Sequence, residues 1–288
     1  MAMKYEAAIL LPEMKSREEE IRKTLSDQTV SPLSIKTYPT AEASGAVGTG
    51  SLLTAAIRSC EAEYLLVLDG RACPADQDFS EKLLQRLQDN PELSAVYGRM
   101  YGKKSVRSLN RAMDSEWLTE RESFSLRDFY ELGSEVFMMP MIACMLRVSD
   151  VKEYFIEPRG LARPEYELNA LLLYDGKQIA KADASVDFAP GLSFVRCFRE
   201  SFRFGAALKL YYTSFGLSWK NTAIRMDMDI TKHARRTLKK VLKAGAVWAV
   251  PAVPVRMLAA LLGDFLGENY HRLPIKLDRM LSADPYFS

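Results

Sequence analysis

The sequence has few of the residues that mark secreted or zinc-binding proteins, since its 288 residues include only four cysteines and two histidines. The cysteines are widely scattered with no Cys-x-x-Cys pair, and His233 and His271 lie far apart. Neither a disulfide framework nor a zinc site is therefore indicated. We expect reduced, buried thiols, as in cytosolic proteins.

Long apolar runs are also lacking. The first apolar stretch ends before Glu13, which is too short for a secretion signal. The longest uncharged stretch near the other end, residues 244–255, is well short of the roughly 20 residues of a membrane span, and Pro251 and Pro254 interrupt it. The sequence therefore predicts no segment that crosses a bilayer.

An excess of one charge is lacking as well, because 39 Lys and Arg residues face 37 Asp and Glu residues. This balance gives no case for a nucleic-acid partner, and we expect none. It conceals a split, however: residues 1–190 contain 23 basic and 30 acidic side chains, whereas residues 191–288 contain 16 and seven. The two parts of the chain therefore meet different surroundings. With 48% hydrophobic residues the chain can bury a core.

Strand and helix patterns alternate in the first hundred residues. Apolar runs typical of strands lie at 5–11, 33–38, 63–69 and 93–97, and helical patterns lie at 16–28, 52–58 and 79–89. This order predicts an α/β fold, a mostly parallel sheet with helices on both faces. Such sheets bind ligands beyond the carboxyl ends of their strands. Asp69 ends the third strand, where it faces a ligand or a metal or is simply a turn or cap residue before Gly70.

Four segments, taken in their order along the chain, indicate a protein family. They are residues 63–74 with Asp69-Gly70-Arg71, residues 95–99 with Tyr-Gly-Arg, residues 143–176 with Glu165 and Glu167, and residues 263–286. Together they resemble inverting glycosyltransferases of family 2, and more narrowly the bacterial rhamnosyltransferase-like members. The resemblance implies a GT-A domain over residues 1–210 and a helical, basic, membrane-associating region over residues 211–288.

The resemblance also implies a reaction. A sugar, by the similarity of the tail rhamnose from dTDP-L-rhamnose, passes from a nucleotide donor to a glycan acceptor in bacterial surface polysaccharide synthesis. Glu165 occupies the position of the catalytic base, where the family usually has Asp, and a carboxylate suits that task in a partly desolvated site. The alternative is that Glu165 and Glu167 lie in the solvated first turn of a helix, favoured there by the helix dipole.

The leaving-group site departs from the family pattern. The family holds a divalent cation with the second Asp of a DxD motif and often a downstream histidine, but here those positions are Arg71 and Asp187. Three readings stay open: Mg²⁺ or Mn²⁺ held by Asp69 and Asp187, metal-free stabilisation of the diphosphate by Arg71, or a chain that has lost catalysis and acts as a glycan- or nucleotide-binding scaffold. The alternative interpretation of Arg71 is an exposed residue in a turn, without a binding role.

The donor site departs from the family pattern at a second place. After the second strand the family commonly has an acidic residue, whereas this chain has Tyr38. Recognition of the nucleotide base then relies on backbone groups, on stacking against Tyr38, or on residues such as Pro12 and Glu13. The alternative for Glu13 is a solvated loop residue without a binding role. The resemblance also implies a contact to phosphate from Arg199 or Arg203, which lie in a helical pattern over residues 193–210.

A cationic stripe is the clearest pattern in the sequence. Its members recur at helical spacing with no acidic residue between them: Lys232, Arg235, Arg236, Lys239, Lys240 and Lys243. Such a helical face suits an anionic membrane surface. The alternative interpretation is a solvated basic face on a helix that packs against the α/β domain. Because the family's acceptors are often lipid-linked or growing glycans, we expect a cytoplasmic protein, peripheral on the inner face of the cell membrane. The C-terminal helices pack within one chain or join two copies in a homo-oligomer.

Overall fold

The computed structural model describes residues 4–11, 17–39, 49–100, 122–132, 136–137, 142–154, 164–188, 194–214, 238–239, 242 and 250–282. These residues fall into two compact units, which divide near residue 190. The first unit contains the sheet and the second is helical. The boundary predicted at residue 210 falls within a helix of the second unit.

The first unit begins with the predicted alternation of strands and helices. Its first elements are β1 (Tyr5–Leu11), α1 (Glu18–Ser26), β2 (Ile35–Pro39), α2 (Thr49–Arg58), β3 (Tyr64–Asp69), β4 (Ala72–Pro74), α3 (Phe79–Asp89) and β5 (Leu93–Met100). After them come β6 (Ser123–Phe124), α4 (Phe129–Leu132), β7 (Ala143–Arg147), α5 (Val148–Val151), α6 (Pro164–Tyr174) and β8 (Gln178–Phe188). The four predicted strands and three predicted helices of the first hundred residues are all present, and only the short β4 was not predicted there.

The strands form one mixed sheet in the order β2-β1-β3-β7-β5-β8-β4, with β6 paired to β8. Strands β1, β2, β3, β5 and β8 run in one direction, whereas β7 lies antiparallel between β3 and β5. Strands β4 and β6 are antiparallel to β8. Most strand directions therefore agree with the α/β prediction, and the insertion of β7 adds antiparallel ladders to the parallel ones.

Helices cover both faces of this sheet because successive side chains of a strand point to opposite faces. In β3, Leu66 and Leu68 pack in one core cluster with residues of α1 and α3, and Leu65 and Val67 pack in a second cluster with residues of α2 and α6. Each fully buried leucine contributes about 1.5–3 kcal/mol to stability. We call the second side, which carries α2 and α6, the α6 face.

The second unit is built on a tight helix pair. Helix α7 (Phe194–Ser214) packs against α8 (Ala252–Glu268), which is followed by a 3₁₀ turn and by α9 (Ile275–Ser282). A methyl group at Gly263 or Gly267 of α8 would lie 2.3 or 2.0 Å from a carbonyl oxygen of α7. These two glycines therefore allow the two backbones to approach closely.

The cysteines agree with the expectation of reduced thiols. All four are free; Cys60, Cys73 and Cys144 are buried, and Cys197 is partly buried. Desolvation raises the pKa of the Cys60 and Cys73 thiols. Both therefore stay protonated near neutral pH.

Candidate active site

The carboxyl ends of three parallel strands bring predicted donor-site residues into one row. Tyr38 at the end of β2 lies beside Leu10 of β1, and Leu10 lies beside Asp69 of β3. The Tyr38 ring is half-buried against the core cluster of the α6 face, and its hydroxyl lies 2.5 Å from the Ser59 hydroxyl. The row places Tyr38 and Asp69 on neighbouring parts of one sheet edge, where α/β folds bind ligands.

Asp69 and Arg71 form a bidentate ion pair at this edge. The guanidinium donates from Nε to Oδ1 at 2.8 Å and from Nη2 to Oδ2 at 2.7 Å, and the backbone N–H of Arg71 donates to Oδ1 at 2.9 Å. The side chains are only 14% and 18% exposed, respectively. Arg71 is therefore not the exposed turn residue of the alternative reading, because its guanidinium is held on the edge of the sheet by Asp69.

The turn that presents this pair is tied to the sheet. The Asp69 N–H donates to the carbonyl of Ile142 at 2.9 Å, and the Gly70 N–H donates to the carbonyl of Leu10 at 2.7 Å. The turn is thus hydrogen-bonded on both sides of β3. Such support holds a binding group in one position before the ligand arrives.

Arg17, at the N-terminus of α1, is a second cation at this edge that the sequence reading missed. Its Nη1 donates to the carbonyl of Arg71 at 3.0 Å and its Nε donates to Glu20 at 3.0 Å. Glu20 is the main cause of a raised pKa of Arg17, and the charge of Asp187 contributes. No sequence motif marks Arg17, because its role depends on the packing of α1 beside β4.

Asp187 lies in β8 opposite Cys73 of β4. The charge of Asp187 contributes to the raised pKa of Arg17 and to that of Cys73. Through Arg17, which also binds the Arg71 carbonyl, Asp187 belongs to the same part of the sheet edge as the Asp69–Arg71 pair. The structure therefore gives Asp187 a cation as a neighbour.

Asp69, one of the two carboxylates predicted to hold Mg²⁺ or Mn²⁺, is paired with Arg71 in this arrangement. Both oxygens of Asp69 accept hydrogen bonds from Arg71, and a metal at that carboxylate would meet a guanidinium. Among the residues that the structure describes, no group of three or more His, Cys, Asp and Glu side chains is placed to hold a metal ion. The Arg71 guanidinium thus lies where a cation was predicted beside Asp69.

Glu165, the predicted base, lies in the first turn of α6, directly after Pro164. The first turn of a helix favours a carboxylate, and proline suits the first helical position. Glu165 is only 8% exposed, however, so the alternative of a solvated first turn is wrong for this residue. Glu167, two positions later, is partly exposed.

Two buried polar residues stand next to Glu165. The Tyr97 hydroxyl of β5 donates to Oδ1 of Asn169, one helical turn after Glu165, and Asn169 Nδ2 donates to the Phe137 carbonyl at 2.9 Å. Burial raises the pKa of Tyr97 well above its usual value, and the charge of Glu165 adds to this effect. Tyr97 and Asn169 thus belong to the surroundings of Glu165, and only their packing identifies them.

Asp69 and Glu165 lie over the same face of the sheet. In β3, Leu65 and Val67 point to the α6 face, and a period of two residues places Asp69 on that face as well. Val67 lies beside Cys144 of β7, and Cys144 beside Tyr97. The sheet therefore joins the carboxylate–guanidinium pair on β3 to the buried carboxylate of α6 across two strands.

The other predicted site residues lie either outside the described residues or in the second unit. Pro12 and Glu13 lie outside the described residues. Arg199 and Arg203 are half-buried residues of α7 in the second unit. Of the cationic stripe, Lys239 is described and exposed, whereas Lys232, Arg235, Arg236, Lys240 and Lys243 lie outside the described residues. No described helix is both long enough and apolar enough to span a membrane.

Comparison by sequence finds no match, either to a protein-family profile or to a curated protein. In three dimensions the chain is similar to many solved structures. The mannosyltransferase PcManGT from Pyrobaculum calidifontis, in complex with GDP-Man and Mn²⁺, has a TM-score of 0.55 and 12% identity, covering 93% of this chain and 88% of that chain. This similarity establishes the fold of the glycosyltransferases of the GT-A type.

Two further structures have lower scores. A mycobacterial protein has a TM-score of 0.50 and 11% identity, covering 75% of this chain and 76% of that one. TarS from S. aureus, in complex with UDP-GlcNAc, has a TM-score of 0.49 and 12% identity, covering 94% of this chain and 92% of that one.

Proposed function

We propose that this protein is an inverting glycosyltransferase that moves a sugar from a nucleotide donor to a glycan acceptor. One observation carries the proposal: on a GT-A fold, a largely buried Asp69–Arg71 pair lies at the end of β3, over the sheet face that also carries the buried Glu165 in the first turn of α6. A cation for the departing diphosphate and a base for the acceptor hydroxyl are the two charged groups that this reaction needs.

Glu165 is the base. It takes the proton of the acceptor hydroxyl as the hydroxyl oxygen attacks the anomeric carbon, and the bond to the nucleoside diphosphate breaks on the opposite side. Its burial in the first turn of α6 favours this role, because a carboxylate held away from bulk water can face the acceptor hydroxyl directly.

Arg71 meets the diphosphate, and Asp69 positions its guanidinium. Arginine offers several N–H donors in a planar fork, so it can keep one edge on Asp69 and turn another to phosphate oxygens. In this proposal donor binding needs no divalent cation. The predicted contacts of the nucleotide base remain Tyr38, Pro12 and Glu13. The predicted contacts of the phosphates remain Arg199 and Arg203.

Substitution tests the base. We expect Glu165→Gln to lower the release of dTDP or UDP from the sugar nucleotide, in the presence of lipid-extracted glycan acceptor, by about 10²–10⁴-fold. Glu153→Gln, an exposed carboxylate of the same unit, is the matched control and keeps full turnover. Full turnover by a folded Glu165→Gln protein would remove Glu165 from this role.

Calorimetry with dTDP and UDP, with and without Mn²⁺, tests the leaving-group site. We expect binding without Mn²⁺ and a loss of about 10- to 100-fold in Arg71→Ala, because a charged hydrogen bond is worth about 1.5–3 kcal/mol. Arg58→Ala, an exposed arginine at the end of α2, is the control. Binding that requires Mn²⁺ would contradict the role of Arg71 and restore a metal at Asp69 and Asp187.

The donor, the pathway and the location are the finer part of the proposal. The sequence resemblance favours rhamnose from dTDP-L-rhamnose and an acceptor in bacterial surface polysaccharide synthesis. We propose peripheral binding to the inner face of the cell membrane through the cationic stripe. Two observations support this binding: Lys239 of the stripe is exposed, and α8 carries an exposed apolar row formed by Val255, Leu258, Leu262 and Phe265. We expect the protein to sediment with vesicles that contain phosphatidylglycerol, and not with pure phosphatidylcholine vesicles.

A second candidate function is a glycan- or nucleotide-binding scaffold without catalysis. The observation that favours it is the engagement of both Asp69 oxygens by Arg71, at the position where the family pattern has a metal ligand. Nucleotide binding without sugar transfer to any lipid-extracted acceptor, in the wild type as in Glu165→Gln, would favour this scaffold.

A further inference from the structure

We propose that Arg17 is a positioning residue of the donor site: it holds the backbone of Arg71 so that the Arg71 guanidinium meets the diphosphate of the nucleotide. The inference rests on the proposed function and deepens it, because it makes helix α1 a part of the donor site. It concerns the contact between the N-terminal end of α1 and the turn that joins β3 to β4.

The turn after β3 is bonded to several parts of the first unit. The N–H groups of Asp69 and Gly70 donate to backbone carbonyls on the two sides of β3. The next residue, Arg71, offers its carbonyl oxygen, which accepts a hydrogen bond from Arg17 Nη1 at 3.0 Å. Because the first two bonds join backbone atoms, the bond from Arg17 is the one that a substitution can remove.

Arg17 is itself held in one orientation by Glu20. Its Nε and Nη2 donate to the two Glu20 oxygens at 3.0 and 3.3 Å, and its side chain is only 21% exposed. The planar fork thus binds a carboxylate of α1 along one edge and the turn through Nη1. Since Glu20 already balances its charge, the role that fits Arg17 is the support of Arg71, not a second contact to phosphate.

Helix α1 and the residues just after it are tied to the chain that follows the turn. The Cys73 thiol of β4 donates to Thr24 Oγ1 at 3.3 Å. Farther along, Gln28 Nε2 donates to the Asp76 carbonyl at 3.0 Å, and Gln28 Oε1 accepts a bond from the Ser80 N–H at 3.1 Å. The helix is therefore fixed beside β4, and a residue on a rigid element is held more precisely than one on a loop.

Helix stability gives little reason for a cation at the position of Arg17. The N-terminal end of a helix favours carboxylates, and the first turn of α1 has three, Glu18, Glu19 and Glu20. Arg17 makes no side-chain cap bond to the helix, and its pair with the exposed Glu20 stabilises little. The bond to the Arg71 carbonyl is therefore the contact that best accounts for an arginine here.

Calorimetry of the full chain with dTDP and UDP, without Mn²⁺, tests the effect on the donor site. We expect Arg17→Gln to weaken nucleotide binding by about threefold to tenfold. Arg17→Lys keeps a donor for the Arg71 carbonyl and should lose less. The matched control is Lys23→Gln, which removes an exposed cation of the same helix and leaves binding unchanged. An equal loss in Lys23→Gln would contradict the proposal.

A double variant that combines Arg17→Gln with Arg71→Ala distinguishes support from direct contact. If Arg17 acts through Arg71, the double variant binds nucleotide as weakly as Arg71→Ala alone, because no guanidinium is left to position. Losses that multiply in the double variant would overturn the proposal, as would unaltered nucleotide binding in Arg17→Gln.

Amide hydrogen exchange of the nucleotide-free protein tests the support without a ligand. We expect the N–H groups of Gly70 and Arg71 to exchange about threefold faster or more in Arg17→Gln, and at the wild-type rate in Lys23→Gln. Nucleotide binding by the wild type together with unaltered exchange in Arg17→Gln refutes only the role of Arg17. Absent nucleotide binding in the wild type refutes the donor site, and the exchange rates then still decide whether Arg17 holds the turn.

Discussion

Asp264 is expected to make the helical unit less stable as the pH rises. The residue belongs to α8 and packs against α7 at Gly205, where an added methyl group would lie 2.3 Å from the Asp264 carbonyl oxygen and 2.9 Å from its Oδ1. Desolvation at this contact, with a smaller effect of the charge of Glu268, raises the pKa of Asp264 from 3.8 to about 7. Asp264 is thus protonated below about pH 7 in the folded chain.

The sign and size of the effect follow from proton linkage. Between the unfolded and folded pKa values the folded chain binds more protons, so the free energy of unfolding falls as the pH rises. At about 1.4 kcal/mol per pKa unit, the change from 3.8 to about 7 corresponds to at most roughly 4 kcal/mol. That stability is fully present below about pH 4 and is lost as the pH rises to about 7.

Asp264→Asn replaces the titrating carboxyl with a neutral group of the same shape. We expect this variant to be more stable than the wild type at about pH 8, by up to the same few kcal/mol, and to differ little at about pH 4. Urea unfolding of the full chain, followed by far-ultraviolet circular dichroism across this pH range, measures the difference.

The control for this prediction is Asp89→Asn, which alters an exposed carboxylate at the end of α3. Its difference from the wild type should not change with pH. Equal pH dependence in Asp264→Asn and the wild type would refute the reasoning, because it would mean that Asp264 ionises normally in the folded chain.

Three further substitutions test the packing. Gly267→Ala places a methyl group 2.0 Å from the Phe202 carbonyl oxygen, and we expect a loss of about 1–3 kcal/mol in urea unfolding. Tyr97→Phe removes the hydroxyl that donates to Asn169 and should cost about 1–3 kcal/mol in the same assay, with unaltered stability as the contradicting result. Arg147→Lys keeps a charge but not the guanidinium bonds to the carbonyls of Leu93 and Leu87, and a measured loss below about 0.5 kcal/mol would contradict their importance.

Local patterns were sufficient for the first half of the sheet. The run over β3 is buried at five of its six positions, and such a strand reads as a continuous apolar segment. Helix α3 begins at Phe79 and ends at Asp89 as its apolar spacing predicts. Strand β8 has a weaker apolar pattern, with alanines at buried positions. Its side chains are buried by packing against β5 and α3, which its own sequence does not specify.

The candidate site was likewise predicted from the sequence only in part. Asp69, Arg71 and Glu165 were predicted because a strand end or a resemblance marks them. The ion pair of Asp69 with Arg71 was not predicted, since two residues in sequence specify no side-chain geometry. Arg17 carried no signal at all, because it acquires its neighbour Arg71 from a turn that is distant in the sequence.

The sequence by itself therefore determined the α/β class, the residues at the end of β3 and the charge difference between the two parts of the chain. These properties depend on the period of apolar residues and on composition, which are local. Only the tertiary structure decided that β7 lies antiparallel between β3 and β5, that Glu165 is buried beside Tyr97, and that the Lys181 ammonium group lies over the Phe124 ring. Each of these depends on strand order, and strand order is set by contacts between segments far apart in the chain.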